Sequence, residues 1–302
     1  MKVVITGGTG FVGKVIIRQL LSSGHEVVVL TRNVAKAAIS LGSNCQYFQW
    51  DDVKTPPPAV AFEGSDGVIN LMGESISQRW DEEHKKEIHD SRIIGTSSLV
   101  NTLKNLKQMP KVLVSTSAIG IYGNRVTENL DENSSVADDF LGSLCKDWEA
   151  EAKKANAIGM RVVIIRTGVV IGRGGGALKK MLPIFKLGVG GPVGSGKQFM
   201  SWIHIEDLAA MYIEALKNDS MIGTFNGTAP YPATNADFTK EMGKVLRRPA
   251  VLPAPAFAMK LAFGEMSQIL LEGQKVLPEK FKEFNFRYRY PTLEMALKET
   301  AY

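Results

Sequence analysis

From its N-terminus the chain alternates short apolar runs with longer segments in which apolar residues recur every three or four positions. The runs are "KVVIT", "EVVVL", "GVINL", "KVLVST" and "RVVIIRTGVV", and the spacing between them predicts helices over residues 12–22, 81–106 and 140–157. This alternation predicts a parallel sheet joined by crossover helices. Several runs are apolar throughout rather than at every second residue, so helices should cover both sheet faces. The expected fold is α/β, a Rossmann-type doubly wound parallel sheet with a small C-terminal α/β substrate lobe.

The texture changes after Gly172. "GRGGGAL" and "KLGVGGPVGSGKQ" bracket one short apolar helix, "LKKMLPIFKL", as in a lobe set off the sheet. "HIEDLAAMYIEALK" then puts Ile205, Leu208, Ala209, Tyr212, Ile213 and Leu216 on one helical face, and "GTFNGTA" reads as a strand returning to the core. Residues 1–172 and 198–230 are therefore assigned to the Rossmann-type core, and residues 173–197 and 231–302 to the smaller lobe. In that lobe "FNFRYRY" alternates Phe284, Phe286, Tyr288 and Tyr290 with polar residues, which predicts a half-buried strand rather than a stacking platform for single-stranded nucleic acid.

With 302 residues, 44% of them hydrophobic, the chain can bury a sizeable core. The net charge of +5 comes from acids and bases that are interspersed, so it does not point to nucleic acid. No apolar run approaches a membrane span. Cys45 and Cys145 are too far apart in sequence to suggest a disulfide framework or a metal-ligand spacing, and His25, His84, His89 and His204 show no zinc-like pairing. A cytoplasmic protein without a metal, acting on a small-molecule substrate as a monomer or homodimer, is the expectation.

The chemistry begins in "VVITGGTGFVG". Gly7, Gly10 and Gly13 sit between a predicted strand and a predicted helix, where glycines allow a tight turn, close approach of backbone to a pyrophosphate, and close helix packing. The helix N-terminus would add free N–H groups and a partial positive charge. The second strand ends at Thr31 and Arg32, with Asn33 and Lys36 beyond and no acid to hold a ribose 2′-hydroxyl. A guanidinium complements a 2′-phosphate, so NADP(H) is favoured over NAD(H); an exposed arginine closing a strand is the other reading.

These segments, with "NLMGESI", "KKEIHDSRIIGT", "STSAIGIYG", "WEAEA", "RTGVVIGRGGGAL" and "GEMSQILLEGQKVLP", resemble the extended short-chain dehydrogenase/reductase superfamily over nearly the whole chain. The likeness is to its nucleoside-diphosphate-sugar epimerase-like branch, which includes the SDR39U1-type epimerase family proteins. The resemblance implies that Gly7, Thr9, Gly10, Phe11 and Val12 hold the pyrophosphate, Thr31 and Arg32 the 2′-phosphate, and Leu71 and Met72 the adenine side. It also places Arg92 and Glu87 toward the far end of the coenzyme; for both, a solvated helix face is the alternative.

Superfamily members carry a serine and a YxxxK pair, whose tyrosine exchanges a proton with substrate. Ser117 matches the serine. Aligning on Glu149 puts Leu141 and Cys145 at the tyrosine and lysine positions, and shifting by one recovers Lys146 but leaves Gly142 for the tyrosine. The pair is missing. Tyr122, Cys145 and His204 are the remaining catalytic candidates beside Ser117, and each has a plainer reading: a packing tyrosine, an inert core thiol, a structural histidine. Glu74, at a strand's C-terminal end, is a secondary candidate, and Asp207 is read as capping or orienting the helix that follows it. "GPVGSGKQ" has the spacing of a triphosphate loop over residues 191–197, but Gln198 stands where the magnesium-binding hydroxyl belongs. The expected activity is an NADP(H)-binding oxidoreductase or epimerase-like enzyme acting on a small carbonyl or nucleotide-sugar-type substrate. A non-catalytic NADP(H)-binding regulator or redox sensor is the competing reading.

Overall fold

Alternate residues of each sheet strand bury themselves in different cores. Val3, Ile5, Val27, Val29, Val163 and Ile165 pack in one cluster, and Val4, Val28, Val68, Leu113, Val162 and Ile164 in another. That division is what a sheet covered on both faces requires. The computed structural model describes residues 1–301.

The first half comprises β1 (Lys2–Thr6), α1 (Phe11–Ser22), β2 (Glu26–Thr31), α2 (Val34–Leu41), β3 (Cys45–Gln49), β4 (Gly67–Asn70), α3 (Glu82–Lys104), β5 (Val112–Ala118), β6 (Arg125–Leu130), α4 (Phe140–Lys153) and β7 (Arg161–Thr167). Next come β8 (Val169–Ile171), α5 (Gly176–Lys186), β9 (Phe199–Met200), β10 (Trp202–His204), α6 (Ile205–Lys217), β11 (Gly223–Gly227), β12 (Ala233–Thr234) and α7 (Asn235–Leu246). The last are α8 (Ala256–Phe263), α9 (Gln268–Leu271), β13 (Gln274–Val276), α10 (Glu279–Glu283) and α11 (Leu293–Ala301). Seven strands form one parallel sheet in the order β11-β7-β5-β4-β1-β2-β3. The order reverses at β1, between β2 and β4, and in such sheets that reversal opens a crevice beyond the C-terminal strand ends. Residues of α1 and α6 join the first cluster, and residues of α3 and α4 the second.

Three expectations need correction. "RVVIIRTGVV" is two strands, because at Gly168 the chain leaves β11 and the Val169 N–H donates to Ser201 O at 2.8 Å, so that β8 pairs with β10. A Cβ at Gly168 would lie 2.5 Å from that same Ser201 carbonyl oxygen, which is why glycine stands at the crossing. The third predicted helix ends early, at Lys153, and tightens into a 3-10 turn over Lys154–Ile158 before Gly159 at φ +90°.

"FNFRYRY" is not a strand. Its aromatic side chains do pack against the α1/α6 core, but Asn285 takes φ +53° and the backbone N–H groups of Arg289 and Tyr290 donate to the Asp207 carboxylate at 2.7 and 2.9 Å. A side chain has taken the bonds a ladder would need. Asp207 therefore ties the C-terminal segment to the first turn of α6, a longer reach than capping its own helix.

Candidate functional site

The Gly-rich loop fills the reversal point as its sequence requires. Gly7 has φ +66°, and a Cβ there would lie 2.6 Å from the Leu71 carbonyl oxygen; one at Gly13 would lie 2.6 Å from Gly7 O. The Gly10 N–H closes the turn on Gly7 O at 3.0 Å. Helix α1 has no side-chain cap and no acid in its first turn. The amides of Phe11, Val12 and Gly13 thus lack intrahelical acceptors, next to exposed Thr9 and Gly10. This end suits a diphosphate. The Phe11 ring does something else: it lies against Gly172, Gly175 and Gly176, each of which would collide with it through a Cβ at 2.2–2.9 Å. The glycines of "GRGGG" let α5 start against the Gly-rich loop, a contact the motif did not announce.

At the end of β2, Thr31 Oγ1 accepts the Asn33 N–H at 3.3 Å, while Asn33 caps α2 through Lys36 N at 2.9 Å. The Arg32 side chain is 80% exposed and its Nη1 lies 3.8 Å from Glu74 Oε2. Across β1, Leu71 N–H donates to Thr6 O and Oγ1 at 3.3 and 3.2 Å, and Met72 Cε rests on Gly95 of α3.

Arg92 and Glu87 part company. Five residues on a helix turn the side chain through about 140°. Arg92 reaches inward, donating from Nη1 to Ile88 O (3.1 Å) and from Nη2 to Glu74 O (3.0 Å), with its guanidinium 5.1 Å from the Trp148 ring centroid. Burial lowers its pKa, and Cys145 and Glu74 pull the other way. Glu87 points to solvent and pairs with His84 Nδ1 at 3.2 Å, so the expectation that both line one cleft is corrected for Glu87. His84 Nε2 is in turn 2.8 Å from Ser75 O, so Glu87 touches the crevice loop only through His84.

The four catalytic candidates are all in the interior: Ser117 2%, Tyr122 0%, Cys145 3% and His204 0% exposed. Ser117 Oγ donates to Glu149 Oε1 at 2.9 Å. Glu149 also receives Arg166 in a two-pronged pair, Nε to Oε1 at 2.7 Å and Nη2 to Oε2 at 3.0 Å. Arg166 Nη1 donates to Tyr122 OH at 2.8 Å, which itself donates to Asn226 Oδ1 at 2.7 Å. Burial pushes the Tyr122 hydroxyl up, and pushes the Cys145 thiol up to about 11. His204 Nδ1 accepts the Glu206 N–H at 3.3 Å as the cap of α6, Nε2 lies 3.1 Å from Glu299 Oε2, and its ring stacks on Tyr290 at 3.9 Å. Burial lowers its pKa against the opposing pull of Glu299, Asp207 and Glu206.

In this structure each of the four is out of solvent and already engaged by a structural partner or by apolar packing, which favours the plainer readings given for Tyr122, Cys145 and His204. Glu149 and Arg166, which the sequence reading passed over as functional, form the centre of this network. The half-buried hydroxyls at the ends of β5 and β7 are Thr116 and Thr167, whose Oγ1 atoms are 3.4 Å apart. Among the described residues no group of three His, Cys, Asp or Glu side chains is placed to hold a metal, and no helix is long and apolar enough to cross a membrane.

Comparison with known proteins identifies the relatives of the chain. The profile of the NAD dependent epimerase/dehydratase family matches residues 3–226, and a domain of unknown function, DUF1731, matches residues 254–300. The chain is 44% identical over 308 residues to the epimerase family protein SDR39U1 homolog, chloroplastic, of Arabidopsis thaliana, covering 99% of this chain and 86% of that protein. The crystal structure of human epimerase family protein SDR39U1 (isoform 2) with NADPH superposes with a TM-score of 0.89 at 38% identity, covering 100% and 99% of the two chains. UDP-glucuronic acid 4-epimerase from Bacillus cereus, in complex with UDP-glucuronic acid and NAD, shares the fold at a TM-score of 0.81 and 17% identity, covering 100% and 98%.

Proposed function

The chain belongs to the NAD dependent epimerase/dehydratase family and is an enzyme of that general type, and from this premise we propose that it is an NADP(H)-dependent oxidoreductase acting on a small carbonyl or nucleotide-sugar-type substrate. The observation that carries the coenzyme choice is Arg32, an exposed guanidinium at the end of β2 whose neighbours in sequence, Thr31, Asn33 and Lys36, include no acid to hold a ribose 2′-hydroxyl. The human relative solved with NADPH supports the same choice.

The residues present fit the coenzyme. Gly7 and Gly13 leave a cradle that a Cβ would fill, α1 offers uncapped amides for a diphosphate, and Leu71 and Met72 would bound the adenine side. Arg92, stacked on Trp148 and fastened to the Glu74 carbonyl, holds the crevice loop and would lie toward the far ribose. When bound, the coenzyme supplies a hydride. Thr116 and Thr167 are the hydroxyls we assign to the acceptor's oxygen. Reduction is favoured over epimerisation, because epimerisation also requires taking a proton from an alcohol. Leu141 and a Cys145 thiol near 11 stand where a base would be needed.

Calorimetric titration of the purified chain with NADPH and NADH tests this reading. NADPH is expected to bind at least about tenfold more tightly, and Arg32→Ala to erase most of that preference. Equal affinities in the wild type would overturn the coenzyme assignment.

A further inference from the structure

Arg32 follows β2 and Glu74 follows β4, and β1 lies between these strands with Thr6 level with Leu30 on one side and Asn70 on the other. Neighbouring strands are about 4.8 Å apart, so the 3.8 Å contact between Arg32 Nη1 and Glu74 Oε2 spans the end of β1 and the Gly-rich loop. This is the crevice a dinucleotide has to enter.

The two ends of the pair are held unequally. The Glu74 N–H donates to Ser91 Oγ at 2.9 Å, its carbonyl accepts from Arg92 Nη2 at 3.0 Å, and its Oε1 accepts the Ser75 N–H at 3.0 Å. Only Oε2 is left, and it faces Arg32. The Arg32 side chain has no other hydrogen bond or ion pair among the described residues. One arm is fixed and the other is free to swing.

We propose that this pair is a latch across the coenzyme crevice, with Glu74 as the catch that any dinucleotide must release; the proposal rests on reading the crevice as the NADP(H) site. A 2′-phosphate gives the released Arg32 a new partner. A 2′-hydroxyl gives it none, so NADH has to open the pair without compensation. The consequence separates this role from that of an arginine that only receives a phosphate: removing Arg32 makes NADH bind more tightly, where a pure phosphate receptor would leave NADH unchanged.

The test is calorimetric titration of NADH and NADPH into the wild type, Arg32→Ala, Glu74→Gln and the double variant of the full chain, at an ionic strength of about 0.02 M. Glutamine keeps the Oε1 acceptor and every backbone bond of residue 74, and an unchanged melting temperature confirms that the fold is intact. Each single variant is expected to bind NADH about two- to five-fold more tightly, the range of an exposed ion pair. The double variant is expected to be no tighter than either single, since one pair is lost only once. Repeating the series at about 0.5 M salt should remove the differences between variants. For NADPH, Glu74→Gln tightens binding and Arg32→Ala weakens it.

Unchanged NADH affinity across the four proteins overturns the latch. So does a gain from Glu74→Gln that persists on the Arg32→Ala background, which would mark simple repulsion between the carboxylate and the coenzyme's phosphates. An NADPH:NADH ratio unmoved by Arg32→Ala counts against the NADP(H) reading instead, and the NADH series still decides the latch. A wild type that binds neither coenzyme refutes both.

Discussion

Removing the Glu149 carboxylate isolates a charge that the fold has taken out of water. Arg166 is 6% exposed and makes four hydrogen bonds, two of them to Glu149 and the others to Tyr122 OH and Glu132 O. Glu149→Ala deletes the two charge-assisted bonds and the counter-charge, and leaves the Ser117 hydroxyl without its acceptor. Breaking a buried pair by truncating one partner is worth about 3–5 kcal/mol of stability. With an unfolding entropy of about 2.1 cal/mol/K per residue, a chain of 302 residues should lose about 5–8 °C in Tm. Replacing both partners by apolar residues, Glu149→Leu with Arg166→Met, removes the stranded charge and should recover most of the loss. Urea and thermal unfolding of the two variants measure this directly. A Glu149→Ala protein within about 1 kcal/mol of the wild type would show that water reaches Arg166, and the buried network as described would be wrong.

Gly7→Ala forces a Cβ to 2.6 Å from Leu71 O at φ +66°, and a loop that shifts to relieve strain of about 1–3 kcal/mol should lose about 5- to 150-fold in NADPH affinity by calorimetry; binding within twofold of the wild type would contradict the cradle. Cys45 and Cys145 are buried with thiol pKa values raised by burial, that of Cys145 to about 11. At pH 8 only about 0.1% of such a thiol as Cys145 is ionised, so a thiol reagent should label neither cysteine in the native protein and both after denaturation; fast native labelling of Cys145 would reopen its catalytic candidacy. His204 binds its proton less well folded than unfolded, so it subtracts stability as pH falls from about 6.5 toward its lowered native value. Asp207, raised by burial, acts in the opposite direction at lower pH, so the informative quantity is the unfolding free energy of the wild type minus that of His204→Gln. That difference should shrink from pH 7 to pH 5, and a flat difference would mean that His204 titrates normally.

The parallel sheet and the Gly-rich turn after β1 could be read from the chain because both are set by local patterns. Continuous apolar runs demand a sheet covered on both faces, and glycines at residues 7 and 13 answer clashes with the backbone within the same turn or the adjacent strand end. Arg32 was legible for the same reason, as a position counted from the end of one strand. Its partner was not, because Glu74 meets it only when β1 is sandwiched between β2 and β4. The neighbouring pair Trp148 and Glu149 likewise has no explanation within its own helix. In the fold, Trp148 donates from Nε1 to Thr96 Oγ1 at 3.0 Å and offers its ring to Arg92, while Glu149 turns to Arg166. "FNFRYRY" misled in the opposite way: its period-2 aromatics do serve a half-buried face, but Asp207, distant in sequence, takes the backbone donors that would have made it a strand.

Register also decides which hydroxyl can meet a substrate. Ser117, Arg166 and Asn226 are level on β5, β7 and β11, and their side chains meet in the buried polar network. A hydroxyl that donates to a carboxylate has spent its one proton, so Ser117 cannot at the same time donate to a carbonyl oxygen. Thr116, one residue earlier, points to the other face, because successive side chains on a strand alternate. There it meets Thr167, and Tyr212 of α6 lies within interaction range of both. The serine that matches the superfamily pattern thus secures the Arg166–Glu149 pair in this structure, and we assign the proton for the product oxygen to the threonine side of the strand ends, where Thr116 and Thr167 donate to backbone carbonyls at 3.3 and 3.5 Å, or to solvent. Thr116→Val tests that division: it should leave coenzyme affinity and stability nearly unchanged while lowering carbonyl reduction, whereas Ser117→Ala should lower stability first.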